Sequence, residues 1–112
     1  MKFYILTETH EIAEADIAEY AEFRIRDGHI VDRTETALHV ISTVFLGQDH
    51  DYSGKGPPLW FETMSFDKEG GATGDQWRFP TWKDAKAGHR AIVRLTLQAE
   101  AEAAEVVKKG LL

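Results

Sequence analysis

Residues 40–66 read VISTVFLGQDHDYSGKGPPLWFETMSF. Two runs of β-branched and aromatic residues enclose a polar loop rich in Gly and Pro, the composition of two strands joined by a connection. Residues 38–46 form the clearest strand and residues 59–66 the second. The intervening residues 47–58 make a loop longer than a tight hairpin needs. The chemically suggestive side chains gather in the same stretch: Asp49, His50, Asp51, Lys55 and Glu62.

Working outward, residues 2–7 predict a first strand. Residues 12–25 predict a helix with Thr9 as its N-cap. At ~100° per residue, Ile12, Ala13, Ile17, Tyr20 and Phe23 share one side of it, with Glu11, Glu14, Glu19 and Glu22 opposite. Asp27-Gly28 supplies the stop. Residues 29–36 alternate as a strand near an edge. A Gly-rich connection at 68–75 leads to a short strand at 76–79. Thr81, with Asp84 three residues on, opens a final helix that runs to Lys108 and ends at Lys109-Gly110. The order β-α-β-β-β-β-α predicts an α+β fold: a mostly antiparallel sheet of about four to five strands with two helices on one face. The other face is then solvated or open to a partner, including a second copy of the chain.

The bulk properties bound the function. A chain of 112 residues with 43% hydrophobic content has enough for one domain with one modest core. No apolar run reaches the ~20 residues of a spanning helix, and the start of the chain reads as a strand rather than a leader. With no Cys, thiol catalysis, disulfides and Cys-type zinc sites are excluded. These features lead to an expectation of a cytoplasmic protein without a cofactor. The net charge of −6 argues against nucleic-acid binding, which depends on cationic contacts to phosphate. Between Phe3 and Phe23 there are six acids and no Lys or Arg, which is either a solvated face or a surface for a basic partner.

Alternation in the second strand puts Trp60, Glu62, Met64 and Phe66 on one face. A carboxylate between Trp60 and Met64 needs a partner if buried. Glu62 is therefore a candidate acid/base, metal ligand or polar anchor, or else an ion-pair partner of Arg33, Arg78 or Lys83. In the last helix Trp82, Ala85, His89, Ile92, Val93 and Thr96 follow core spacing, so His89 faces the sheet, with Gly88 beside it permitting close approach. His89 is either a hydrogen-bonded core histidine or a ligand. Asp49, His50 and Asp51 have metal-binding side chains but match no ligand motif. Gly54-Lys55-Gly56 lacks the following helix that a phosphate loop uses. Ser42, Ser53 and Ser65 lie in no nucleophile elbow, and His10, His29 and His39 read as surface or strand positions. Trp60, Phe61, Trp77, Phe79 and Trp82 read as core or, on an uncovered face, as a binding surface.

Three blocks, STVFLGQDH (residues 42–50), PPLWFETMSF (57–66) and WRFPTWKDAKAGH (77–89), resemble a small uncharacterised family of tailed phages and prophages. The chain departs from that pattern at Trp60 and in the 68–75 loop. The resemblance implies a phage-type accessory product and no catalytic residue. The leading expectation is a non-enzymatic protein that binds a macromolecular partner through Glu11, Glu14, Glu19 and Glu22 and through Asp49, Asp51, Tyr52 and Lys55. Two alternatives stand beside it: a small hydrolase or metal-dependent enzyme using Glu62 with His50 and His89, and an oligomer-forming domain.

Overall fold

The computed structural model describes residues 2–48 and 54–111. Strand β1 (Phe3–Leu6) pairs antiparallel with β2 (Ile12–Ala15), and helix α1 (Ile17–Ile25) follows directly. Strands β3 (Ile30–Glu35), β4 (His39–Phe45), β5 (Phe61–Asp67) and β6 (Ala72–Phe79) form a four-stranded antiparallel sheet in chain order. Helix α2 (Trp82–Lys108) crosses one face of that sheet. The α+β class and the antiparallel sheet are as the sequence predicts.

The N-terminal third differs from the expectation. Residues 12–15 continue no helix; they return along β1 in the register Phe3↔Ala15 to Leu6↔Ile12. The reversal is held by the Thr7 N–H to Glu11 carbonyl bond at 2.8 Å and by His10 in the left-handed region at φ 64°. The helix starts five residues later because Asp16, rather than Thr9, caps it. Asp16 Oδ1 accepts from Glu19 N–H at 2.8 Å while Glu19 Oε1 accepts from Asp16 N–H at 3.0 Å. This reciprocal pair satisfies two backbone donors that a bare helix start leaves open. Helix α1 packs mainly on the β1–β2 hairpin and reaches the larger sheet through Phe23, whose ring meets that of Phe45.

One core joins the two sheets. Leu6 of β1, Phe23 of α1, Phe45 of β4, Phe61 of β5 and Ala85 of α2 are buried together, with Tyr4, Trp60, Phe79 and Trp82 packed around them. Along β4 and β5 burial alternates strictly. Ile41, Thr43, Phe45, Phe61, Thr63 and Ser65 face α2, while Val44, Glu62, Met64 and Phe66 lie half-buried on the far face. Gly88 lets α2 settle close to β6, since a Cβ there would sit 2.2 Å from the Phe79 ring. Strand β6 is the outer edge, mostly exposed, and Gly74 within it adopts φ 96°.

Candidate functional site

The site residues of the sequence reading separate onto the two faces of the sheet. Glu62 points away from α2, and its Oε2 accepts from Arg78 Nε at 3.0 Å across the β5–β6 pair. It is the ion-pair partner that a half-buried carboxylate on a strand requires. His89 lies on the opposite face, 1% exposed. Its Nδ1 is 2.7 Å from Thr43 Oγ1 and its Nε2 is 2.8 Å from Thr34 Oγ1. Thr43 Oγ1 in turn lies 2.5 Å from Thr63 Oγ1. Asp32, paired with Lys86 at 2.9 Å, places an oxygen 3.8 Å from His89 Nε2 and favours the proton on that nitrogen. Thr43 then donates to Nδ1 and Thr63 to Thr43, so both ring nitrogens are used. Burial pushes the His89 pKa down, Asp32 offsets only part of that, and Lys86 adds to the fall. His89 is a neutral structural tie between helix and sheet.

The constellation Glu62, His50 and His89 therefore does not assemble: the sheet separates the first from the third, and His50 lies outside the described residues. Asp49, Asp51 and Tyr52 also lie outside them, while Lys55 is exposed. Among the described residues no group of three His, Asp or Glu side chains is placed to hold a metal ion. The four glutamates expected on one helix are divided. Glu19 and Glu22 are on α1, Glu14 is on β2 opposite Tyr4, and Glu11 is in the turn before β2; all four are exposed.

A different pair of side chains makes the site with chemical potential. One oxygen of Glu100, Oε2, accepts from Thr36 Oγ1 at 2.6 Å, from Leu38 N–H at 3.1 Å and from His39 Nδ1 at 2.6 Å. Burial alone would raise the Glu100 pKa, but the hydrogen bonds from Thr36, His39 and Leu38 and the charge on His39 outweigh it and hold the carboxyl below its usual range. A carboxylate can only accept, so Nδ1 of His39 carries the proton. Nε2 is the ring nitrogen that Glu100 does not engage, on a side chain that is 31% exposed.

His39 borders a cleft of about 290 Å³ between α2 and the β4–β6 strands. Trp77, Ile92 and Leu95 give it apolar walls, and Ser65, Thr73 and Asp75 give it polar ones. Thr73 Oγ1 is committed to the Ser65 carbonyl at 3.2 Å. Among the described residues Asp75 forms no ion pair and Ser65 makes no hydrogen bond to His39, so a nucleophile–base contact is not formed. Trp77, read as core or binding surface, is 38% exposed at the rim, whereas Phe61 is fully buried.

The sequence reading missed His39 and Glu100. The signal for Glu100 was present as one more four-residue step beyond Thr96 along the core-facing stripe of α2. Its partner was not readable, because His39 is 61 positions away. No helix among the described residues is long and apolar enough to cross a membrane. No family model, curated protein or solved structure matches this chain.

Proposed function

We propose that this protein acts by binding rather than by turnover, as a small accessory protein of phage or prophage type, and takes a cationic side chain of a protein partner into the cleft beneath α2. The observation that carries the reading is the make-up of that cleft. It offers the Trp77 indole and the Asp75 carboxylate, and no Lys or Arg among the described residues lines it. An ammonium or guanidinium group finds there an aromatic face and an acceptor together. Glu11, Glu14, Glu19 and Glu22 add to a net charge of −6 that draws a basic partner from a distance. The Glu100–His39 pair fixes the orientation of the imidazole at the edge of the cleft before a ligand arrives.

The test is an NMR titration of the whole chain with short peptides carrying Lys or Arg, against a matched peptide carrying Glu. The expected outcome is perturbation of the Trp77 indole and of His39 by the cationic peptides only. Trp77→Ala and Asp75→Asn should each weaken binding by about two- to fivefold, the scale of an exposed cation–π or ion-pair contact. Equal response to the acidic peptide, or perturbation that ignores both substitutions, would overturn the reading.

A further inference from the structure

A second cleft opens where the N-terminal elements meet the larger sheet. It has a volume of about 240 Å³ and is formed by the β1–β2 turn, the end of α1, the start of β3 and the start of α2. Seams between packed units are a usual place for small-ligand sites. The apolar part of its lining is Leu6, Phe23, Ile30 and Val31, and Ile30 is 42% exposed. The volume lies below the ~300 Å³ at which pockets for drug-sized molecules begin. At ~30 Å³ per water it equals about eight waters, which is room for one small molecule and not for a folded segment.

Three polar side chains belong to the same lining: Glu8, His10 and Arg26. Two of them are held by aromatic contacts. The His10 ring lies flat on Trp82, with centroids 3.9 Å apart and planes 10° from parallel. The Arg26 guanidinium lies over the Phe23 ring at 5.6 Å, a contact that leaves its N–H groups for an acceptor. Among the described residues neither Glu8 nor Arg26 forms an ion pair, with the other or with any third residue. One small cleft thus carries a cation and an anion that do not meet. A purely anionic ligand would be opposed by Glu8, and a purely cationic one by Arg26. A ligand bearing both charges on an apolar body satisfies the whole lining.

We propose that this cleft binds a single free α-amino acid with an apolar side chain. Its carboxylate pairs with Arg26, the charge-assisted contact for which a guanidinium is shaped. Its ammonium group pairs with Glu8, and its side chain lies against Ile30 and Val31. The His10–Trp82 stack, set by the left-handed backbone of His10, bounds the site on the α2 side. The site shares no residue with the cleft beneath α2, so its test is independent of the partner-binding reading.

An NMR titration of the full chain tests it, with L-phenylalanine and L-leucine as probes. Two analogues of phenylalanine each lack one charge: phenylalaninamide has no carboxylate, and hydrocinnamate has no ammonium group. Both amino acids should bind with a Kd of about 1 mM or tighter, the yield of about ten non-hydrogen atoms, and should move the Trp82 indole and Gly28 amide signals. Each analogue should bind about three- to fivefold more weakly than phenylalanine, the scale of one exposed ion pair. Arg26→Gln should erase the preference for phenylalanine over its amide and keep the preference over hydrocinnamate. Glu8→Gln should do the reverse. Both positions are exposed, and circular dichroism checks that each variant folds. No saturable response up to about 10 mM, analogues that bind as well as phenylalanine, or a preference that its matching substitution leaves unchanged would each overturn the proposal.

Discussion

Glu100 is the residue on which one end of the molecule depends. A single oxygen collects three donors at the β3–β4 turn, and together they favour the charged form and hold the carboxyl below its usual range. Glu100→Ala should leave Thr36, Leu38 N–H and His39 without their acceptor and cost about 2–3 kcal/mol, read by urea denaturation. Its pH signature has a definite sign. A carboxyl whose folded pKa lies below its ordinary value of 4.5 contributes stability that is fully present above that value and is lost as the pH falls through the folded pKa. His89 adds a second limb at higher pH. It too is depressed, from an ordinary value of 6.5, so its contribution is full above 6.5 and declines on acidification from there. Native stability should therefore fall in two stages on acidification, and Glu100→Gln should flatten only the more acidic one. Little of this residue-scale chemistry was legible in the sequence. Periodicity shows that Glu62 and His89 sit on particular faces, but not that those faces are opposite sides of one sheet, nor that His39 and Glu100 meet.

At the scale of elements, the strands of the larger sheet and the final helix were legible because each is long and strongly patterned. The 12–25 segment was not, for a specific reason. Ile-Ala-Glu-Ala satisfies strand alternation over four residues and also fits the opening of an amphipathic helix. The deciding signal was Asp16 followed three positions later by Glu19, a capping box that outcompetes the isolated Thr9. The close contact of α2 with β6 gives a prediction at this scale. Gly88→Ala gains about 1 kcal/mol of helix preference, but its methyl group meets the Phe79 ring at 2.2 Å and must push the helix or the ring aside. The net effect should be a loss of about 1–2 kcal/mol by thermal melting, since overpacking a close contact outweighs propensity. Phe79→Leu should recover part of that loss in the double variant.

Across the whole molecule, the hairpin and α1 are not an appendage. Leu6 and Phe23 sit in the same cluster as Phe45 and Phe61, so the N-terminal elements cover the end of the sheet core. Indole fluorescence from Trp60 and Trp82, which both pack against that cluster, and far-UV circular dichroism should report one coincident unfolding transition. Leu6→Ala should lower it as a unit, by about 2–4 kcal/mol. Two separated transitions would mean that the N-terminal elements and the sheet fold independently. The outer strand of the sheet carries a further consequence. An edge strand offers unpaired amide and carbonyl groups to any passing extended chain. In β6 the ladder with β5 is irregular near Met64 and Phe66, Gly74 turns the backbone into the left-handed region, and Asp75 stands beside it. A bent, charged strand is a poor template for another strand. The β6 edge is thus blunted against strand-by-strand growth of the sheet.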